Sequence, residues 1–126
     1  MEFPKELRYT RTHEWVRFTD ENTAYIGITD YAQDQLGDLV FVNLPQEGDA
    51  LKAGEAFADV ESVKAVSDVN SPVTGTVEKV NADLADAPEK MNETPYEAWF
   101  VMASGISGTE ELMDAEAYEK FIASEG

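Results

Sequence analysis

A mainly β fold closed by one C-terminal helix is what this sequence predicts, and three observations carry it. Short segments alternate apolar and polar residues with a period of two along most of the chain. Turn-forming clusters of Pro, Gly, Asp and Asn separate those segments. Near the end the period changes, and Tyr118, Phe121 and Ile122 stand at the i, i+3, i+4 spacing of one helical face. Strands first and a helix last is the order of a β domain with a helix laid against it.

Taken in order, His13–Thr19 and Thr23–Thr29 read as strands joined by the polar turn Asp20-Glu21-Asn22. Asp30–Leu36 reads as a short helix, with Asp30 as its cap, Gln33 three residues on as in a capping box, and Gly37 at its end. Asp38–Leu44 returns to strand. Pro45–Asp49 has turn chemistry, and Lys52-Ala53-Gly54 makes a second turn. Ala56–Asn70 has no internal Gly or Pro, and its alternation reads as a strand, a tight turn at Val63-Lys64, and a strand back. Ser71-Pro72 punctuates it before another strand runs from Val73 to about Val80. Residues 83–95 are polar and contain Pro88 and Pro95, which predicts a loop with one helical turn. Ala98–Ala103 is a short apolar strand. Ser104–Gly108 predicts a break, and Ser107 with Glu110 has the spacing of a capping box. Asp114 caps the last helix.

The chain has 126 residues, a length that fits one domain, 1–126, able to bury a core without staples. Six Phe, five Tyr and two Trp supply large apolar bodies for that core. The formal net charge is −17, from 26 acids against nine bases. Four bases and four acids fall in the first 20 residues, so residues 21–126 carry the whole excess. A polyanion repels phosphate backbones and anionic lipid surfaces, so neither a nucleic acid nor a membrane is an expected partner. No apolar run approaches the roughly 18 residues of a membrane span. The opening MEFPKELRYT has no apolar stretch of the kind a signal peptide needs, so the expected location is cytoplasmic. There is no Cys and one His, His13, which excludes disulfides, thiolate zinc sites, a Cys nucleophile and a multi-His metal site.

Between Arg17 and Lys79 only Lys52 and Lys64 are basic. Lys64 stands at the tip of the expected hairpin, with Asp59 and Glu61 before it and Asp68 after it. Spacing alone favours a solvated lysine paired with Glu61, because most exposed lysines only solvate.

The run Val60-Glu61-Ser62-Val63-Lys64-Ala65-Val66-Ser67-Asp68-Val69, followed by Ser71-Pro72-Val73-Thr74-Gly75, closely resembles the lipoyl-attachment segment of the glycine cleavage system H protein. Tyr9–Trp15, Gly27–Gly37, Asp38–Pro45, Gly54–Ala58, Asn92–Tyr96 and Leu112–Tyr118 resemble further landmarks of that family in the family's order. The resemblance spans about residues 7–122, which is then the core of the single lipoyl-carrier domain. It implies a flattened barrel-sandwich hybrid of the lipoyl-domain kind, with short helices, Lys64 on a hairpin at one end and a C-terminal helix packed outside.

The family is a carrier and not an enzyme, so no catalytic residue is assigned. By similarity Lys64 is acylated by lipoate, giving an arm with a reach of roughly 14 Å by summed bond lengths. The implied partners are glycine decarboxylase with pyridoxal phosphate, aminomethyltransferase with tetrahydrofolate, dihydrolipoyl dehydrogenase with FAD and NAD, and a lipoate ligase or lipoyl transferase. Glu61, Gly48 and Gly75 match positions the family uses for acceptance by the lipoylating enzyme. Their ordinary reading is a solvated strand face and two turn glycines. Glu14, Thr12 and Asp68 match positions near the cleft that shelters the loaded arm. There a carboxylate binds a protonated amine through a charge-assisted hydrogen bond. The ordinary reading of Glu14 is surface pairing with Arg11 or Arg17, and that of His13 is structural packing beside Trp15. Gln35 stands where some relatives have His, and Pro95–Phe100 is one residue shorter than usual and lacks the glycine before its Trp. A monomer is expected, since the carrier visits three active sites.

Four other readings compete. A biotin carrier flanks its lysine with Met, whereas Lys64 lies between Val63 and Ala65. A lipoyl domain of a 2-oxoacid dehydrogenase shares the Glu three before the Lys but lacks the N-terminal hairpin, the Gly27–Gly37 segment and the last helix. An H-protein-like lipoate carrier or lipoyl relay serving other enzymes would share Lys64. An unmodified acidic adaptor would leave it free.

Overall fold

The computed structural model describes residues 1–125. The strands are β1 (Arg8–Tyr9), β2 (Glu14–Phe18), β3 (Ala24–Ile28), β4 (Leu39–Asn43), β5 (Ala50–Leu51), β6 (Ala56–Ser62), β7 (Val66–Asn70), β8 (Val73–Val80) and β9 (Val101–Thr109). The helices are α1 (Asp30–Leu36), α2 (Ala82–Asp86), α3 (Lys90–Glu93) and α4 (Ala115–Glu125). They make a six-stranded sheet in the order β1-β2-β3-β9-β8-β5 and a three-stranded sheet in the order β4-β6-β7.

The alternation that marked the strands becomes the core. Ile26, Ile28, Val73, Val77, Val101 and Ala103 from the larger sheet pack with Leu39, Val42, Ala58, Val60 and Val69 from the smaller one. Each side chain removed from water there stabilises the fold by about 1.5–3 kcal/mol for a Val, Leu or Ile. A second cluster joins Leu7, Tyr9 and Trp15 to Ala115 and Tyr118 of α4. Asp114 Oδ1 caps that helix by accepting from Ala117 N at 2.8 Å. Tyr9 and Met113 exchange backbone hydrogen bonds of 2.8 Å, so the chain entering α4 is fastened beside β1. The fold is mainly β, a flattened barrel-sandwich with its last helix outside.

Three expectations change. Asp30 is not the cap of α1. Thr29 holds the extended conformation a cap needs, and its Oγ1 accepts from Ala32 N at 3.1 Å. Asp30 takes the first helical position, and its carboxylate accepts from Gln33 Nε2 at 2.7 Å. Ser104–Gly108 is not a break, and Ser107 with Glu110 begins no helix. β9 runs straight through, paired with β8 from Val73–Thr109 to Val80–Val101, and shifts in register absorb the irregular composition. A Cβ on Gly75 would lie 2.6 Å from Ser104 O, so glycine permits the close approach of β8 to β9. The polar stretch before Trp99 holds two short helices, α2 and α3, where a single turn was expected.

Candidate functional site

β6 and β7 meet in a turn that lifts Lys64 into water. Ser62 N donates to Ala65 O at 2.8 Å, closing the turn. The Ser62 hydroxyl fills its interior, where Oγ accepts from Lys64 N at 3.3 Å and from Ala65 N at 3.1 Å. This is the local side-chain-to-backbone bonding that Ser offers in place of a ladder bond. Val63 N donates to Asp38 O at 3.1 Å and ties the tip to the segment before β4. Val63, Lys64 and Ala65 are all exposed. Among the described residues Lys64 forms no ion pair with Glu61.

The Lys64 stem lies over the end of α1. Its Cε is 3.5 Å from the point a Cβ on Gly37 would occupy. Gly37 sits at φ 84°, the left-handed region open to glycine, and its N–H returns to Gln33 O at 3.0 Å. Asn92 of α3 clamps this junction. Its Nδ2 donates to Gly37 O and to Gln33 Oε1, each at 2.9 Å, while its Oδ1 accepts from Leu39 N at 2.9 Å. The base on which the lysine rests is therefore fixed from three sides.

Beside that base lies a hollow of about 300 Å³, whose walls include Thr12, His13, Tyr31, Gln35, Leu36 and Ser67. Behind Thr12 sits Glu14, a carboxylate 2% exposed. Its Oε1 accepts from both Thr10 and Thr12 hydroxyls, and its Oε2 accepts from Asn70 N at 3.2 Å. Burial pushes its pKa up to about 7, against the opposing pull of those donors. Arg11 pairs with Glu111, and Arg17 donates to Tyr96 O, so neither is the partner of Glu14.

His13 forms another wall at φ 73°. Its Nδ1 is 2.8 Å from the Tyr118 hydroxyl, which is 2.8 Å from Thr29 Oγ1. Burial lowers its pKa, and the Glu125 carboxylate at 3.6 Å works in the other direction. The ring packs on Tyr31 at 4.8 Å, with Tyr118 and Phe121 beyond, and not beside Trp15 as expected. The Trp15 indole instead donates to Pro95 O at 3.0 Å beneath the Arg17 guanidinium.

Of the residues singled out in the sequence, Glu61 is half-buried on β6, opposite Val66 and three residues before Lys64. Thr12 lines the hollow and Glu14 stands behind it. Asp68 is exposed on the face of β7 opposite to Ser67, and Ser67 is the β7 residue that reaches the hollow. Gly48 at φ 94° turns the chain into β5, and its N–H bonds to Val77 O at 2.8 Å. Gly75 pairs with Leu51. Both glycines bond within the β5–β8 edge and not to the hairpin. The sequence analysis missed Gly37, Tyr31, Leu36, Asn92 and Tyr118. A signal existed for all five, since Tyr31, Leu36 and Gly37 lie in the Gly27–Gly37 landmark, Asn92 in Asn92–Tyr96 and Tyr118 in Leu112–Tyr118.

Residues 7–125 match the family model described as Glycine cleavage H-protein. The chain belongs to that family. It is 62% identical over 125 residues to the glycine cleavage system H protein of Lachnoclostridium phytofermentans, covering 99% of this chain and 98% of that one. It is 52% identical over 125 residues to the glycine cleavage system H protein of Brevibacillus brevis, covering 97% and 98%. A crystal structure of a glycine cleavage system H protein from Mycobacterium marinum superposes with a TM-score of 0.91 at 35% identity, covering 96% of this chain and 99% of that one. Among the described residues no helix is long and apolar enough to cross a membrane.

Proposed function

We infer that this H-protein family member is the lipoyl-bearing carrier of the glycine cleavage system, with lipoate joined by an amide to Lys64. One observation supports the reading most: an exposed primary amine on a turn clamped from within by Ser62 and from below by Gly37 and Asn92. A swinging group needs a flexible stem on a rigid base, and both are present. The residues around the amine also fit the group. The stem lies on Gly37 beside Leu36 and Gln35, where the mixed polar and apolar hollow begins.

When attached, lipoate supplies a dithiolane that takes up the aminomethyl group of glycine and is later reoxidised. The chain's own residues hold and shelter. Leu36 and Tyr31 offer apolar walls to the arm. Thr12, with Glu14 behind it, offers oxygens to a protonated amine, whereas Asp68, expected there, stands on the opposite face of β7. Glu14 carries its negative charge above a pH of about 7. Glu61, Gly48 and Gly75 serve acceptance by a lipoate ligase or lipoyl transferase. No residue has to catalyse a step.

Residues 1–126 act as one carrier unit with its core at about 7–122, monomeric and cytoplasmic. The carrier gathers the aminomethyl group at glycine decarboxylase, delivers it to aminomethyltransferase and is reoxidised by dihydrolipoyl dehydrogenase. A charge of −17 steers it toward basic surfaces on those enzymes. Intact mass after co-expression with a lipoate ligase, with peptide mapping, tests the reading. One lipoyl group on Lys64 is the expected result, and a bare Lys64 in lipoate-fed cells would refute it.

A further inference from the structure

Six large apolar side chains are exposed among the described residues, and four of them gather at the Lys64 end: Val40, Phe41, Val63 and Val66. Their arrangement follows from register. Phe41 pairs with Glu61, and Glu61 pairs with Val66, so the three form one row across β4, β6 and β7. Side chains in a row point to the same side of a sheet. The alternate row, Val42, Val60 and Ser67, contains the buried Val42 and Val60, so the row of Phe41 faces outward. Phe41 is 49% exposed and Val66 is 67% exposed. Glu61 therefore stands between two bare apolar bodies, in a strip about 10 Å wide from two strand spacings. The next outward row is Asn43, Asp59 and Asp68. Among the described residues the ion pairs lie elsewhere, so these carboxylates have no cationic partner.

We propose that the Phe41–Glu61–Val66 row is the seat of the acylating enzyme, which rests apolar surface on Phe41 and Val66 and sets a cationic side chain on Glu61 between them. The proposal rests on the carrier reading and extends it from the single carboxylate of Glu61 to the apolar bodies on either side. Distance selects this occupant. The Lys64 amine stands only about 6 Å from its own Cα by summed bonds, so an enzyme that acylates it must bring its catalytic centre down to the turn. Its surface then covers the rows next to the turn. Enzymes that act at the far end of an arm of roughly 14 Å can stand clear of them. The charge agrees, because a cation set among Glu61, Asp59 and Asp68 meets carboxylates that nothing else neutralises. The composition agrees as well, since large apolar bodies beside a charge form the kind of cluster that dominates binding energy.

The experiment is a steady-state titration of full-length carrier against purified lipoate ligase with lipoate and ATP, read by intact mass. Phe41→Thr and Val66→Thr place strand-favouring β-branched residues at these exposed positions, and unfolding midpoints equal to the parent's confirm that they fold. The paired variant is expected to raise the KM for the carrier about tenfold or more, with kcat within a factor of two. Phe41→Tyr with Val66→Ile is expected to restore the parent's KM. An unchanged KM in the Thr pair overturns the proposal, as does a fall in kcat alone. Parent-like ligation joined to slow loading by glycine decarboxylase also overturns it, because the face then belongs to that enzyme. Failure of the parent chain itself to be modified at Lys64 is a different result, and it would strike the carrier reading.

Discussion

The Lys64 turn, whose lysine stem rests on Gly37 next to the hollow's Leu36, and the polar knot behind Thr12 are built in opposite ways. At the turn every side chain from Val63 to Ala65 is exposed, and the hydrogen bonds run between backbone groups and one serine hydroxyl. In the knot, Glu14 is buried with both carboxylate oxygens engaged, and His13, Tyr118 and Thr29 are linked one to the next. The turn leaves its chemistry unattached so that something can be added to it. The knot binds its chemistry fully so that its shape survives when the hollow is filled. A change at the turn should therefore remove lipoate attachment without unfolding, and a change in the knot should lower stability while leaving attachment at Lys64 intact.

Lys64→Arg tests the first half most severely. Attachment of lipoate should be lost completely, because a guanidinium takes no acyl group, while stability should stay within about 0.5 kcal/mol, as for most surface substitutions. Intact mass and a urea melt check both. A large stability loss in this variant would break the contrast.

Glu14 tests the second half. Its native pKa of about 7 lies above its ordinary value of 4.5, so the folded chain binds the extra proton between those limits. Stability from this group is complete below about pH 4.5 and is lost as pH rises toward 7. The loss is at most roughly 3 kcal/mol at about 1.4 kcal/mol per unit. Urea unfolding from pH 5 to 8, compared between the parent and Glu14→Gln, should show the parent alone losing stability across that window. Parallel profiles would show that the carboxyl keeps an ordinary pKa.

Tyr118→Phe removes the hydroxyl shared by His13 and Thr29, leaves the half-buried His13 and the buried Thr29 each short of a bond, and should cost about 1–2 kcal/mol. Thermal unfolding measures it, and lipoylation should be unaffected. Ser62→Ala is the mildest change. Water can replace the hydroxyl at an exposed turn, so the expected cost is under about 1 kcal/mol. Amide hydrogen exchange should nevertheless quicken at Lys64 and Ala65.

Much of this was legible in the chain. The hairpin around Lys64 followed from a period of two without Gly or Pro, and α1 kept its expected limits because Gly37 stops it. α4 followed from Asp114 and the spacing of Tyr118, Phe121 and Ile122. The two-residue strands β1 and β5 were not legible, since two residues hold no period. β9 was misjudged because small residues such as Ser104, Gly105 and Gly108 resemble a loop until β8 lies against them. The hollow was half legible. Motif likeness pointed to Thr12 and Glu14, but which β7 residue lines the hollow depends on the pleat, and the pleat selects Ser67. The contact of Lys64 with Gly37 joins residues 27 positions apart, and no local pattern encodes it.

The chain has one imidazole, and it forms part of the hollow's wall. If the arm folds into this hollow as proposed, the chain carries a single spectroscopic beacon beside it. One ring resonance, free of overlap from any other histidine, should move when the wall is covered and return when it is bare. The protein can then be watched through a catalytic round in a magnet with uniform isotope enrichment alone, and no reporter dye needs to be grafted onto it.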